Sequence, residues 1–433
     1  MGQMHDATLM SDDFREMDGV VHARFGPLWL GSHFQPIYSV VHGRVVGHEA
    51  LLRGLDADGH RVSPVEVFAA CSGLQDIGRC DTLSRRAHLL NFVKARAQDQ
   101  WLFLNVHVDA FLHGMEGDMA SSKVGWLQGL QVRPEQIVIE LLEDSIDRLA
   151  PLEQAVQQFK SHGFLIALDD FGAGHSNFDR VWRLKPDIVK LDRSMVVRAA
   201  KDAGTARMLG QLTSLLHECG ALVLMEGVET YDEALLAMDC DVDLMQGYYF
   251  CRPQPMVQTA LSTPDQLTDL YKGMDLRRRA HQRAHKELIA PYVNAIGHAG
   301  VMLQAGHTIQ EACESFLDLP GGQLCYLLDA EGRQIGDSVW RPDGQLGPHA
   351  AYLPMKETQG ATWASRPYFR RALDAPGKVQ VTRPYRTLQG RQLCFTVSSR
   401  FIRRHDCFQT PAVICGDVLL QEQPDGSLSA DNH

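Results

Sequence analysis

Two patterns of apolar and polar residues alternate along the first 260 or so positions of the chain. Short apolar runs predict buried strands, and longer stretches with apolar residues at helical spacing predict the helices between them. The apolar runs are Val45–Val46, Trp101–Val106, Ile137–Leu142, Phe164–Leu168, Asp187–Leu191 and Ala221–Met225. The helical stretches include Asp81–Ala97, Pro151–His162 and Thr205–Cys219. This alternation indicates repeated βαβ units and a mostly parallel α/β sheet.

The number of these units favours a closed barrel over an open sheet. About 230 residues with this many strand–helix pairs are typical of a TIM-like (β/α)8 barrel. An open, doubly wound sheet is the alternative, although no Gly-x-Gly-x-x-Gly motif follows the first strand. We expect the barrel to occupy residues 25–260, after a polar and irregular N-terminal arm at residues 1–24.

The alternation ends where Arg252-Pro-Gln-Pro breaks the regular pattern. Residues 261–300 then predict a linker helix that is interrupted at Pro291. The part of this helix between Arg277 and Lys286 is strongly basic. A docking patch for an acidic partner is one interpretation, and a solvated helix face is the favoured one.

The C-terminal part of the chain has a different order of elements. Residues 301–425 predict one helix, a hairpin, a second helix and three further strands, which together make an α+β domain with an antiparallel sheet. The three last strands are expected at Val379–Tyr385, Leu393–Phe401 and Ala412–Leu420. Residues 426–433 are expected to be a tail.

Composition narrows the class of protein. The 433 residues include 42 Lys and Arg against 53 Asp and Glu, and this net charge of −11 argues against general nucleic-acid binding. The ten cysteines include no Cys-x-x-Cys pair, so we expect reduced thiols in a reducing compartment. No signal peptide is apparent, and no apolar run reaches the about 18 residues of a membrane span. We therefore expect a cytoplasmic protein.

Polar side chains follow the apolar runs of the predicted barrel. They are Glu49, Asn105, Glu140, Asp169, Asp170, Lys190, Glu226 and Gln246. Each acidic residue alone could be a turn or helix cap, but so many consecutive strand ends make that interpretation weaker. In a barrel these ends meet at one mouth, where the active site lies. Carboxylate and amide oxygens suit two Mg²⁺ or Mn²⁺ ions that clamp a phosphoryl displacement, with Lys190 orienting the attacking water or offsetting developing charge.

Several motifs occur at these positions in a characteristic order. They are Phe34-Gln35-Pro36-Ile37, Glu49-Ala50-Leu51-Leu52-Arg53, Leu104-Asn105-Val106, Glu140-Leu-Leu-Glu143, Asp169-Asp170-Phe171-Gly172-Ala173-Gly174, Val189-Lys190-Leu191-Asp192, Glu226-Gly227-Val228-Glu229-Thr230 and Gln246-Gly247-Tyr248. With these motifs, residues 30–258 resemble an EAL-domain cyclic di-GMP phosphodiesterase. The resemblance implies a TIM-like barrel with an antiparallel first strand. It also implies hydrolysis of cyclic di-GMP to linear pGpG with two Mg²⁺ or Mn²⁺ ions.

The resemblance assigns a role to each motif residue. The first ion would be held by Glu49, Asn105, Glu140 and Asp169, and the second by Asp169, Asp170 and Glu226. Lys190 would position and activate the attacking water. Glu143 would hold the loop Phe171–Phe178, which couples the site to the dimer interface in the family. The implied substrate-binding residues are Gln35, Arg53, Asp170, Gln246 and Glu229.

Four departures from the family pattern leave the ligands and Lys190 in place. His107 stands where Ser is usual, Leu142 replaces a Thr, Gly54 replaces a Trp, and the loop reads Gly174-His-Ser-Asn-Phe178. A packing role for His107 is favoured over a metal-binding role. The intact ligand set favours an active enzyme over a catalytically silent cyclic di-GMP receptor. It also argues against an interaction protein that no longer binds the nucleotide.

The C-terminal domain resembles a PAS/Cache-like sensory domain of YkuI-type proteins. The residues that carry this weaker resemblance are Arg366-Pro-Tyr-Phe-Arg370, Thr382-Arg-Pro-Tyr-Arg386 and the turn Gly390-Arg-Gln-Leu393. It implies an unidentified small ligand. Arg366, Tyr368, Arg383 and Tyr385 could bind an anion, or they could only stabilise the fold. We expect this domain and the linker helix to help form a homodimer.

Overall fold

A computed structural model describes most of the chain. The described residues are 13–97, 99–108, 112, 119–142, 149–174, 178–257, 265–342, 358–386, 393–405, 408–422 and 428–429. The chain divides into two compact units, residues 1–276 and 277–433, and each is described by itself. Among the described residues, no helix combines the length and apolar character needed to cross a bilayer.

The first unit contains eleven described strands. They are β1 (Phe14–Met17), β2 (Val20–Phe25), β3 (Leu28–Ser39), β4 (Arg44–Leu55), β5 (Arg61–Val62), β6 (Trp101–Val106), β7 (Ile137–Leu142), β8 (Leu165–Phe171), β9 (Ile188–Leu191), β10 (Leu222–Met225) and β11 (Leu244–Met245). Eight of them, β3, β4 and β6–β11, close into a barrel because β3 pairs with both β4 and β11. The strand β3 is antiparallel to both neighbours, and β4 and β6–β11 are parallel to one another. The predicted TIM-like barrel with an antiparallel first strand is confirmed.

Helices follow most of the barrel strands. They are α1 (Pro64–Ala69), α2 (Leu74–Lys94), α3 (Met119–Gly129), α4 (Leu149–Ser161), α5 (Phe178–Leu184), α6 (Arg193–Ala199), α7 (Ala203–Glu218) and α8 (Tyr231–Asp239), with a 3₁₀ turn at Pro134–Gln136. Side-chain caps stabilise several of their first turns, as at Thr230, whose hydroxyl accepts from the backbone of Glu233.

The barrel wall separates two apolar cores. Along β6 the side chains alternate, so that Leu102 and Leu104 pack with the helices and Phe103 points into the barrel. The interior cluster around Phe103 consists of Ile37, Val138, Ala167, Ile188, Leu224 and Leu244. These side chains fill the barrel, so its polar side chains collect at one end.

Residues 14–25 form a sheet extension, where an irregular arm was expected. The strands β1 and β2 continue the sheet from β3 as an antiparallel ribbon. Val21 and Ala23 are buried in it, and the Asn91 side chain bonds to both the N–H and the carbonyl of Val21. These contacts come from α2, some 70 residues away in sequence, so the local composition did not reveal them.

The second unit contains a sheet whose described pairings are all antiparallel. Its strands are β12 (Gly322–Leu328), β13 (Gln334–Trp340), β14 (Gln380–Val381), β15 (Tyr385–Arg386), β16 (Leu393–His405), β17 (Phe408–Glu422) and β18 (Leu428–Ser429). Its helices include most of α9 (Asp265–Ala305), α10 (Ile309–Leu317) and α11 (Pro367–Asp374). The order β13-β12-β17-β16-β14 places the long β16–β17 hairpin in the centre. The predicted α+β arrangement is therefore correct.

Two expectations for this part of the chain were wrong in detail. The helix α9 runs through Pro291 without interruption, because Tyr292 and Ile296 hold the following turns in the apolar core. The strand predicted over Val379–Tyr385 is divided into β14 and β15. Pro384 lies between them and has no N–H to donate to a neighbouring strand.

We predict that Phe103→Ala lowers the free energy of unfolding of the barrel unit by about 3–5 kcal/mol. The Phe103 ring is fully buried inside the barrel, and its removal leaves a cavity. Val41→Ala is the control, since Val41 is 82% exposed and should change stability by less than about 0.5 kcal/mol. Urea unfolding followed by circular dichroism measures both. Equal midpoints for the two variants would contradict this account of the core.

Candidate active site

The parallel strand register brings the predicted polar residues to one end of the barrel. Asn105 on β6 lies opposite Glu140 on β7, and Glu49 on β4 lies opposite Gln35 on β3. These pairings place the side chains on neighbouring strands at matching heights. The separate strand-end residues therefore converge on one site.

Lys190 is the centre of this site. Its side chain is only 1% exposed, and its Nζ lies 2.5 Å from Glu140 Oε1, 2.9 Å from Asp169 Oδ1 and 2.7 Å from Glu226 Oε1. Glu49 Oε2 is 4.0 Å away. One ammonium group thus contacts carboxylates from four different strand ends.

Burial and the neighbouring charges together shift the pKa values of these residues. Burial alone lowers the pKa of Lys190, but Asp169, Glu140 and Glu226 outweigh it and hold that pKa well above its usual range. Burial raises the pKa of Glu140 well above its usual range, against the opposing effect of Lys190. It raises the pKa of Glu226 to about 8. When ionised, the four carboxylates around Lys190 carry more negative charge than its single ammonium group can neutralise.

Two amides fix the orientation of Glu49. Asn105 Nδ2 donates to Glu49 Oε1 at 3.0 Å, and Gln246 Nε2 donates to Glu49 Oε2 at 2.8 Å. Each oxygen of Glu49 keeps free lone pairs that point away from its amide donor. The carboxylate is held in a single orientation before any ligand binds.

Asp169 and Asp170 share a bend in the barrel wall. The pairing of β8 with β9 shifts between Leu168 and Phe171, and Asp170 adopts a left-handed backbone with φ 56°. Aspartate tolerates this conformation better than most residues. Burial, followed by the charge of Asp169, raises the pKa of Asp170 to about 6. The bend lets two adjacent residues approach the same site.

The donor set fits divalent cations that prefer oxygen ligands. Carboxylate oxygens of Asp169, Asp170 and Glu226 lie within 4.8 Å of one another. Glu140 Oε1 faces the Lys190 ammonium, whereas buried Glu140 Oε2 and Gln246 Oε1 lack hydrogen-bond donors among the described residues. Hard oxygen donors in this number suit Mg²⁺, Mn²⁺ or Ca²⁺ rather than a softer metal.

A cleft of about 220 Å³ opens beside the carboxylates and contains residues that the sequence analysis did not single out. Arg193, at the start of α6, forms a two-pronged ion pair with Glu229, with Nη2 2.6 Å from Oε2. Tyr248 is 47% exposed and lies under the Arg252 guanidinium, 4.4 Å from ring centre to Cζ. Arg193 lies three residues after Lys190 in the sequence, and this closeness was the signal that could have identified it as a residue of the site.

Arg53 and Gln35 lie near the site in defined conformations. Gln35 lines the cleft, and its Nε2 donates to the carbonyl of Cys251 at 3.2 Å. Arg53 is half-buried and donates to the carbonyl of Leu52. Gly54, which departs from the Trp expected at this position, pairs with Val62 on β5, and a Cβ there would meet Val67 at 2.7 Å. The packing of Val62 and Val67 against Gly54 therefore leaves no room for a Trp side chain at this position.

For some of the predicted residues the structure does not define a role. Glu143 and loop residues 175–177 lie outside the described residues, and so does the side chain of Leu142. His107 follows β6, and its buried Nδ1 has no hydrogen-bond partner among the described residues. The proposed coupling of Glu143 to the loop stays a prediction.

The fold and site define a class, a (β/α)8 barrel with an antiparallel first strand and a carboxylate-rich mouth. Within this class the chain belongs to the EAL domain family, which it matches over residues 28–253. Signaling protein YkoW of Bacillus subtilis is 26% identical over 232 residues, covering 52% of this chain and 28% of YkoW. Cyclic di-GMP phosphodiesterase PdeL of Escherichia coli is 27% identical over 225 residues, covering 51% of this chain and 61% of PdeL. The chain thus spans less than two thirds of either relative.

The EAL-domain containing protein YkuI of Bacillus subtilis matches more of the chain. It is 24% identical over 353 residues, covering 78% of this chain and 82% of YkuI. Its crystal structure, a complex with cyclic di-GMP and calcium, superposes with a TM-score of 0.72 at 22% identity. The match covers 89% of this chain and 95% of that structure, so the similarity of fold extends beyond the barrel.

We predict that Gly247→Ala destabilises the barrel by about 1–3 kcal/mol through overpacking. A Cβ at Gly247 would lie 1.9 Å from the carbonyl oxygen of Val228, so the backbone next to Gln246 must move. Gly129→Ala is the matched control, because a Cβ there meets nothing within 4 Å. Urea unfolding of the two variants is the measurement. A Gly247→Ala variant as stable as the control would show that this close approach does not constrain the site.

Proposed function

We propose that the chain is a metal-dependent phosphodiesterase that hydrolyses cyclic di-GMP to linear pGpG. The observation that carries the proposal is the cluster of carboxylates around buried Lys190 at the barrel mouth. Membership of the EAL domain family supports the substrate. PdeL is named a cyclic di-GMP phosphodiesterase, and the YkuI crystal structure is a complex with cyclic di-GMP, which supports the same substrate.

Two divalent ions, Mg²⁺ or Mn²⁺, would neutralise the phosphodiester and lower the pKa of the attacking water. In this proposal the first ion is held by Glu49, Asn105, Glu140 and Asp169, and the second by Asp169, Asp170 and Glu226. Asn105 and Gln246 keep Glu49 oriented through its two oxygens. This arrangement reduces the reorganisation needed when ligands bind.

Lys190 acts as a fixed positive charge in this mechanism. Its raised pKa keeps the ammonium group protonated at neutral pH, so it donates hydrogen bonds and does not remove a proton. In the proposed reaction it orients the attacking water and offsets charge that develops on the phosphoryl oxygens. Removal of Lys190 should therefore slow turnover more than it weakens binding.

The remaining predicted residues bind the substrate. Arg53 contacts a phosphate oxygen through its guanidinium, and Gln35 and Gln246 line the path into the cleft. Glu229 is held by Arg193, so it acts with a fixed orientation. The family-wide loop coupling through Glu143 belongs to the same proposal.

The C-terminal unit is proposed to be a PAS/Cache-like sensory domain that modulates the barrel. The fold similarity to YkuI across both parts of the chain supports this assignment. A homodimer is proposed with it, because twofold association is the common state of soluble oligomers. Light scattering of the purified chain measures the dimer directly.

We predict that the purified chain converts cyclic di-GMP to pGpG with Mn²⁺ or Mg²⁺, and that Glu49→Gln lowers turnover at least about 100-fold. The reason is that Glu49 is a proposed ligand with both oxygens already oriented. Chromatographic separation of the products measures turnover. Glu218→Gln is the control, because Glu218 is an exposed acid on α7. Binding of the nucleotide without cleavage in either metal would replace the enzyme with a cyclic di-GMP receptor.

We predict that Lys190→Met separates ion binding from turnover. Removing the ammonium leaves the carboxylates more negative, so Mn²⁺ should raise the unfolding temperature of this variant more than that of the wild type. Turnover should fall on the order of 10²–10³-fold. Thermal unfolding with and without Mn²⁺, beside the activity assay, gives both numbers. Loss of the Mn²⁺ effect would mean that Lys190 instead holds the ligands together.

A further inference from the structure

The first turn of α6 contacts both loops that carry the acids of the proposed second ion site. The strand β9 leads into α6, and its neighbours are β8, which carries Asp169 and Asp170 near its end, and β10, which leads to Glu226. Carboxylate oxygens of these three acids lie within 4.8 Å of one another. Their repulsion drives the two loops apart unless the surrounding chain holds them together.

Backbone hydrogen bonds tie the start of α6 to both neighbouring strand ends. The Asp192 N–H donates to the carbonyl of Phe171 at 3.1 Å, directly after the aspartate pair. The Glu226 N–H donates to the carbonyl of Leu191 at 3.1 Å. Asp192 also caps α6, because its side chain accepts from the Ser194 N–H at 2.9 Å. The first turn of the helix therefore has a fixed position relative to both loops.

The Met195 side chain packs onto the loop after the aspartate pair. Gly172 follows β8 and has a left-handed backbone with φ 97°. A Cβ at Gly172 would overlap Met195 Sδ and lie 2.8 Å from Met195 Cγ, so the thioether occupies the space that a side chain would take. This contact limits the movement of the backbone two residues after Asp170. It involves no charged group.

The Arg193 side chain makes the corresponding contact with the loop after Glu226. Gly227 has φ 63°, and a Cβ there would lie 2.6 Å from both Cβ and Cγ of Arg193. The apolar stem of Arg193 thus lies against Gly227, and its guanidinium continues to Glu229, with Nη2 2.6 Å from Oε2. The loop is held at two points, one and three residues after Glu226.

We propose that Arg193 and Met195 are positioning residues that brace the acids of the second ion site from outside. This inference rests on the proposed function, since it requires that the three acids bind a divalent cation. Neither residue contacts the ion, because Met195 acts through Gly172 and Arg193 acts through Gly227. The brace keeps the carboxylates close together before an ion arrives, so less reorganisation accompanies ion binding.

The charge of Arg193 predicts the opposite effect on ion binding from the brace. If Arg193 acted only through its charge, its removal would leave the acids less neutralised, and Mn²⁺ would bind more tightly. If Arg193 holds the loop, its removal lets the acids separate, and Mn²⁺ binds more weakly. Met195 carries no charge, so only the loss of the brace affects its variant. Weaker binding in both variants is therefore the result that distinguishes the brace.

Calorimetric titration of the full-length protein with Mn²⁺ alone tests the proposal without relying on turnover. Asp170→Asn identifies the signal of the second ion as the binding that this variant loses. Arg193→Ala and Met195→Ala should each weaken that binding about tenfold, as is usual when support for a metal ligand is removed. Met195→Leu should restore affinity to within about threefold of the wild type, because leucine keeps most of the volume.

Two matched variants control for general effects of the substitutions. Arg198 is an exposed arginine on the same helix, and it donates to Ser194 Oγ at 3.0 Å. Met208 on α7 is 72% exposed. Arg198→Ala and Met208→Ala should bind Mn²⁺ as the wild type does. Unchanged or tighter binding in Arg193→Ala, or an equal loss in the control variants, overturns the proposal.

Two further measurements separate the brace from a structural role and from the proposed reaction. Without Mn²⁺, Arg193→Ala should unfold within about 2 °C of the wild type, because the side chain is exposed. A much lower unfolding temperature would mean that Arg193 serves the fold, which contradicts the proposal. A wild type that binds Mn²⁺ but leaves cyclic di-GMP intact refutes the hydrolysis alone, and the Mn²⁺ comparison still decides on the brace. A wild type that binds no Mn²⁺ overturns both.

Discussion

Repulsion between carboxylates at the barrel mouth is the constraint that organises the first unit. Glu49, Glu140, Asp169, Asp170 and Glu226 converge there, and Lys190 is the one ammonium group that contacts this set among the described residues. Such a cluster is costly unless cations or hydrogen-bond donors compensate it. The amides on Glu49 and the contacts to Lys190 supply part of that compensation, and the excess of negative charge supports the proposed pair of metal ions.

The barrel makes this concentration of charge possible by separating the site from the core. Below the mouth, Phe103 and its neighbours fill the interior with apolar side chains. The antiparallel strand β3 places Gln35 directly opposite Glu49. Residues of a parallel strand would pair with β4 in a different hydrogen-bonding pattern. The Asp169–Asp170 bend then brings two adjacent acids to one site at a strained backbone position.

Carboxylates have different surroundings in the two units. In the barrel, the carboxylates at the mouth lie next to the Lys190 ammonium, to side-chain amides or to one another. Neighbouring carboxylates could bind the same cation. Asp417 in the C-terminal sheet has a hydroxyl donor and aromatic neighbours, but no cation among the described residues.

The sequence by itself determined the barrel and the residues that could form its polar mouth, because short apolar runs and the polar residues that follow them are local signals. Glu49, Asn105, Glu140 and Lys190 were candidates for one site because the carboxyl ends of parallel barrel strands meet at one mouth. Their spacing alone did not show that they converge. Only the tertiary structure decided the pairing of Arg193 with Glu229 and the ribbon at residues 14–25. Each of these depends on partners distant along the chain or on what a neighbouring element covers, and local periodicity contains neither kind of information.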